Sequence, residues 1–123
     1  MTRLSSILIV EDERIIADDL QRKLRRMGYA ISAIVSSGRA AVEHAAATRP
    51  DLILMDLGLR GEMDGVQAAQ SIREQCNLRV VYVTAHADDA TRARADQTQP
   101  LGYLLKPFDQ DELRHALERA LHP

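Results

Sequence analysis

The sequence predicts an α/β fold built on a parallel sheet with helices on both faces. Three observations carry this. Short, mostly apolar, strand-like runs recur five times, at residues 7–10, 29–35, 52–55, 80–83 and 101–105. Each is followed by a helix-period segment, and no long linker, repeat or low-complexity stretch interrupts the alternation. Apolar continuity is what a strand buried on both faces needs, and strand–helix alternation is how parallel strands are joined. The chain has 123 residues, which suits one domain spanning 1–123, and 46% hydrophobic content supplies a core.

Ile7-Leu8-Ile9-Val10 is the first strand, broken by Glu11-Asp12-Glu13. From Arg14 the pattern turns helical, with Ile16, Leu20, Leu24 and Met27 at helix spacing and Gly28 as the stop. Tyr29 to Val35 is the second strand, ending at Ser36-Ser37-Gly38. A second helix runs through Val42, Ala45 and Ala46, and Pro50 ends it. Leu52 to Met55 forms the third strand, terminated by Asp56. The loop Gly58-Leu59-Arg60-Gly61 leads to Asp64-Gly65 and a third helix through Val66, Ala69 and Ile72.

Val80 to Val83 is the fourth strand, ending at Thr84. Residues 88–97 fit a fourth helix whose apolar face is only alanine. Leu101 to Leu105 is the fifth strand, ending at Lys106-Pro107. Asp109 fits an N-cap of the last helix, with Glu112 three residues on in a box-like pattern. Leu113, Leu117 and Leu121 make that helix's apolar stripe.

Composition excludes several functions. The net charge of −2 and 3% aromatic content predict no nucleic-acid footprint. No apolar run approaches membrane-spanning length, and the start lacks a signal-peptide cleavage pattern, so a cytoplasmic protein is expected. Cys76 is the only cysteine, which excludes an internal disulfide and any multi-cysteine metal site. It reads as a small residue near a helix end. The basic residues are nearly all Arg, with Lys only at 23 and 106. A Lys kept in such a chain points to a need for a compact ammonium, with composition drift an equal alternative.

In a parallel sheet the ligand site lies beyond the carboxyl ends of the strands. Glu11 and Asp12, Asp56, Thr84 and Lys106 all fall there. Carboxylates gathered this way repel unless a cation joins them, and oxygen ligands without a His/Cys cluster suit Mg²⁺. Asp56 fits a nucleophile that forms an acyl phosphate, with Lys106, the Thr84 hydroxyl and the metal meeting the phosphoryl charge. Ala85 leaves open space beside Thr84. Singly, each residue has a plainer reading: Asp12 as a helix cap, Thr84 as a strand end, Lys106 as a solvated side chain. The joint pattern carries the weight.

The segments ILIVEDE (7–13), LILMDLGL (52–59), MDG (63–65), VVYVTAHA (80–87) and GYLLKPF (102–108) resemble the receiver domain of bacterial response regulators over essentially the whole chain. That resemblance implies a flavodoxin-like five-stranded sheet in the order 2-1-3-4-5. It implies Asp56 as phosphoacceptor, Asp12 and Glu11 as metal-binding acids, and the Gly58 carbonyl as a further Mg²⁺ ligand. Thr84 and Lys106 would hold phosphoryl oxygens, and Tyr103 would be an aromatic switch turning inward as Thr84 moves. Lys106-Pro107 is similar to the family's cis peptide. The implied partners are a sensor histidine kinase or phosphotransfer protein and a downstream protein target. The output face would be the fourth helix, fifth strand and last helix, also a homodimer surface. With no domain after Pro123, output through protein contact is expected.

The acidic pair is Glu-Asp where the family's commonest pattern has Asp-Asp. The loop from Asp56 to Gly65 is one residue longer than usual and lacks proline. His86, two residues after Thr84, is placed to tune dephosphorylation, or is an exposed bystander; His44, His115 and His122 read as structural. Three alternatives stand beside this reading. A receiver cut from a larger regulator or hybrid kinase keeps every assignment. An aspartyl-phosphate phosphatase usually has a second acid where this chain has Gly58, and a cap domain. A flavin- or nucleotide-binding domain needs a phosphate-cradling loop where this chain has Glu11-Asp12-Glu13.

Overall fold

The computed structural model describes residues 4–85 and 87–122. Its elements alternate without exception: β1 (Ser6–Val10), α1 (Arg14–Arg26), β2 (Ala30–Val35), α2 (Gly38–Thr48), β3 (Leu52–Asp56), α3 (Gly65–Cys76), β4 (Val80–Thr84), α4 (Asp89–Gln97), β5 (Gly102–Leu105) and α5 (Gln110–Leu121). All strand pairs are parallel, and the sheet order is β2-β1-β3-β4-β5. The expected fold and strand order are both present. The expected second and fifth strands begin one residue late, at Ala30 and Gly102, and Asp88 caps the fourth helix rather than opening it.

Strand side chains alternate between two cores. Ile7, Ile9, Leu52, Leu54, Val81, Val83 and Leu104 face α1 and α5, meeting Leu20, Leu24, Leu113 and Leu117. Leu8, Val10, Ile53, Met55, Val80 and Tyr82 face the other way, onto Ala41, Ala45, Ala69 and Ile72. Both β3 and β4 are buried along their full length, which is why their sequences read as unbroken apolar runs.

Helix ends follow local chemistry. Gly28 takes φ +95 after α1, where a side chain would be strained. Asp109 and Glu112 complete a reciprocal capping box on α5, as their spacing predicts. A second box, between Asp64 and Gln67, starts α3. Before Pro50, α2 ends with Arg49 in the left-handed region at φ 46. Cys76 is buried as the last residue of α3, in keeping with a structural role.

The fourth helix is held differently. Ala95 is its only buried residue. Polar and aromatic contacts supply the rest. Thr98, just after α4, donates its hydroxyl proton to the Ala95 carbonyl at 2.7 Å, so the buried Tyr82 hydroxyl, 2.8 Å away, must donate to Thr98. On the outer side, the Arg92 guanidinium lies 3.7 Å from the centre of the Tyr103 ring. The Tyr103 hydroxyl donates to Asp96 at 2.5 Å, and Arg92 sits 3.6 Å from the same carboxylate oxygen. Tyr103 also stacks on Tyr82, with ring centres 5.6 Å apart. No helix among the described residues is long and apolar enough to cross a membrane.

Candidate functional site

Strand register builds the site. Val10 pairs with Met55, which brings the next residues, Glu11 and Asp56, level at the carboxyl edge. Asp56 pairs with Val83 and Thr84 with Leu105, so Thr84 and Lys106 stand beside them one step out. Asp12 follows Glu11 onto the loop. The residues that the sequence placed at strand ends therefore converge although up to 95 positions separate them in the chain.

Glu11, Asp12 and Asp56 each present a carboxylate oxygen, all within 4.8 Å of one another. Glu11 and Asp56 are buried, at 3% and 6% exposure, and Asp12 is exposed. Lys106 Nζ lies 3.1 Å from Glu11 Oε2 and 3.8 Å from Asp56 Oδ1. Backbone donors orient the acids. Glu13 N–H donates to Glu11 at 3.1 Å, Gly58 N–H to Asp56 Oδ1 at 2.9 Å, and Arg60 N–H to Asp12 at 3.4 Å. Burial pushes the Glu11 carboxyl up from its ordinary range, and the Asp56 charge adds to this. The Glu13 N–H and the Lys106 ammonium pull it back. One ammonium thus only partly offsets three acids.

Asp12 does not cap α1. The cap position is Glu13, and its side chain makes no capping bond, so the plainer reading of Asp12 fails. The acids open onto a cleft of about 310 Å³ lined by Asp12, Glu13, Asp56, Gly58, Arg60, Thr84, Ala85 and Lys106. Thr84 is buried at 4% exposure and Ala85 is exposed, which gives the open space expected beside Thr84. The Lys106–Pro107 peptide is cis. Tyr103 stands apart from the cleft in the α4 contact described above. His86 lies outside the described residues. The His44 ring pairs with the Ser32 hydroxyl at 3.1 Å, a contact between α2 and β2.

Two supporting residues escaped the sequence reading. A Cβ on Gly65 would come 2.5 Å from the Asp56 carbonyl oxygen, so only glycine lets α3 start against the strand that carries Asp56. Asp-Gly at 64–65 signals a turn, but close approach is a tertiary fact. Arg60 lines the cleft from a loop whose sequence gives no periodicity to place it.

The donor set fits a divalent metal. Clustered carboxylate oxygens with no His or Cys among them suit a hard cation, and a metal there would relieve the repulsion among acids that Lys106 leaves standing.

The chain matches the family model for the response regulator receiver domain over residues 7–118. The transcriptional regulatory protein PdtaR of Mycobacterium tuberculosis is 36% identical over 94% of this chain and 56% of its own length. The regulatory protein AtoC of Escherichia coli K12 is 34% identical over 98% of this chain and 26% of its own. The chain thus spans about half or less of these relatives. Among solved structures, the receiver domain of a modulated diguanylate cyclase from Desulfovibrio desulfuricans G20 has TM-score 0.92 and 38% identity, covering 98% of this chain and 95% of that one. The receiver domain of a sensor histidine kinase from Pseudomonas aeruginosa PAO1 has TM-score 0.88 and 34% identity, covering 98% and 100%, and carries a magnesium ion in its active-site cleft. The chain therefore belongs to the receiver domains of response regulators, whose chemistry is metal-assisted phosphoryl transfer from a histidine kinase or phosphotransfer protein to an aspartate, with no turnover beyond their own phosphorylation and dephosphorylation.

Proposed function

We propose that the chain acts over residues 1–123 as one receiver unit with Asp56 as its phosphoacceptor. The observation that carries this is the meeting of three carboxylates within 4.8 Å with the Lys106 ammonium beside Asp56. Glu11, Asp12, Asp56 and the Gly58 carbonyl would hold Mg²⁺. When bound, that ion supplies positive charge to the acids and to the phosphoryl oxygens.

The chain's own groups do the rest. The Asp56 carboxylate attacks phosphorus, and the bond to the donor's leaving nitrogen or oxygen breaks, its electron pair going with the leaving group. Lys106 is already within 3.8 Å of Asp56 and can take up an equatorial oxygen as charge spreads over the phosphoryl group. The Thr84 hydroxyl donates to another, and Ala85 keeps the approach open. Gly58 N–H fixes the Asp56 carboxylate for in-line attack.

Phosphorylation adds about −1.5 to −2 charge at this edge. Drawing Thr84 toward that charge vacates space for Tyr103, the switch residue, and loosens α4, which buries one alanine and is otherwise held by polar and aromatic contacts that Tyr103 shares. The face of α4, β5 and α5 then meets the output partner, a downstream protein or a second copy. The kinase or phosphotransfer partner and the response both belong to the cytoplasm.

Intact mass after acetyl phosphate and Mg²⁺ tests the reading. One added phosphate in wild type, absent in Asp56→Asn and absent without Mg²⁺, is expected. Equal labelling of both proteins contradicts it. A persistent adduct without continuing release of phosphate separates a receiver from a phosphatase.

A further inference from the structure

We propose that Arg60 is a specificity-determining residue of the cleft that draws in the doubly negative phosphoryl group of the incoming donor. The inference rests on the reading of Asp56 as phosphoacceptor. Acids dominate the cleft's lining: Asp12, Glu13 and Asp56 face only two cations, Lys106 and Arg60. Before a donor arrives Lys106 is already engaged by the acids, lying 3.1 Å from Glu11 and 3.8 Å from Asp56. Arg60 is exposed, and among the described residues its guanidinium forms no ion pair. Its backbone is nonetheless fixed, because Arg60 N–H donates to Asp12 Oδ2 at 3.4 Å. The stem of a long cationic side chain therefore starts at the mouth of the site, while its head group stays available.

A dianionic donor approaching this edge meets like charge. A guanidinium offset from the metal-facing acids opposes that repulsion without neutralising the acids themselves. Its flat fork also matches two phosphoryl oxygens at once, which a lysine ammonium cannot do. Arg60 makes and breaks no bond. Asp56 oxygen joins phosphorus while the phosphorus–oxygen bond to acetate breaks and its electron pair leaves with acetate; Arg60 holds the phosphoryl oxygens on the way in.

The test uses Arg60→Ala and Arg60→Lys in the full chain at saturating Mg²⁺. Acetyl phosphate, doubly charged, and phosphoramidate, mostly singly charged near neutral pH, are the donors, with phosphorylation scored by intact mass after acid quench. Arg60→Ala should lose about three- to tenfold in rate at low acetyl phosphate, with a flatter dependence on NaCl. The loss should be smaller with phosphoramidate. Arg60→Lys should keep the salt dependence and recover part of the rate. Mg²⁺ affinity, read from the Mg²⁺ dependence of the melting midpoint, should be equal or tighter in Arg60→Ala, since a cation has left the rim. A damaged loop would weaken Mg²⁺ and donor together, and that result would overturn the assignment. So would wild-type rate and salt slope in Arg60→Ala. A wild type that takes up no phosphate from either donor overturns both this inference and the reading of Asp56, whereas a labelled wild type with an indifferent Arg60→Ala overturns the inference alone.

Discussion

Releasing Tyr103 from α4 should move the protein toward its switched form without phosphate. Besides its stack on Tyr82, two contacts from α4 hold the ring, and their sizes can be worked from the geometry. The Arg92 guanidinium lies 3.7 Å from the ring centre, with the Arg92 side chain half exposed, so this cation–π contact contributes about 0.5 kcal/mol. The Tyr103 hydroxyl donates to the Asp96 carboxylate at 2.5 Å, a charge-assisted bond that contributes about 1 kcal/mol once discounted for its exposed acceptor. Together they favour the present position by about 1.5 kcal/mol, close to a tenfold bias. The double variant Arg92→Ala/Asp96→Ala should remove it. The chain has three tyrosines, so fluorotyrosine labelling gives three ¹⁹F resonances, with Tyr103 assigned through Tyr103→Phe. In the unphosphorylated double variant the Tyr103 resonance should shift toward its position in beryllofluoride-treated wild type. The same spectra titrate the hydroxyl. Burial first, and the Asp96 bond second, push it up to about 12, so Asp96→Ala should bring it back toward 10. A Tyr103 resonance that moves neither with beryllofluoride nor with the double substitution would refute the reasoning.

Asp56→Asn should stabilise the metal-free protein by about 1 kcal/mol in urea denaturation, because it removes one of three crowded charges, and Mg²⁺ should then raise the melting midpoint less than in wild type. Gly65→Ala should cost about 1–3 kcal/mol in the same measurement, since its Cβ would fall 2.5 Å from the Asp56 carbonyl oxygen, and should slow phosphorylation by displacing that strand end. Tyr82 sets an alkaline limit. Burial pushes its hydroxyl up to about 12 against 10.0 when exposed, so the folded state holds the proton more tightly. Its contribution is complete below pH 10 and disappears as pH rises to about 12, a loss of about 2–3 kcal/mol. Tyr82→Phe should flatten that slope while costing about 1 kcal/mol near neutral pH through the lost bond to Thr98.

Most of the site was legible because one rule of parallel sheets gathers it. Once Ile7–Val10, Leu52–Met55 and Val80–Val83 are read as doubly buried strands, Glu11, Asp12, Asp56 and Thr84 must share an edge, and Lys106 joins them from β5. Local signals of fixed spacing also transferred, as at Gly28 and at Asp109 with Glu112. What depended on packing did not. The need for Gly65 arises from the carbonyl of Asp56, and the grip of Arg92 and Asp96 on Tyr103 arises where α4 crosses β5. The fourth helix read as an alanine face alone, whereas Tyr82, Thr98 and Tyr103 give it polar anchors that no periodicity reveals. The third helix was placed just after Asp64-Gly65, where α3 begins, although the capping-box spacing of Asp64 and Gln67 was not used to place it.

Borohydride reduction of protein treated with acetyl phosphate and Mg²⁺, followed by peptide mass mapping, locates the acceptor directly, because an aspartyl phosphate is reduced to homoserine. The proposed role of Asp56 predicts homoserine at position 56, formed only when phosphoryl donor and metal are both supplied. Homoserine at position 12, or reduction that leaves position 56 as aspartate in a protein that has gained phosphate, would contradict it.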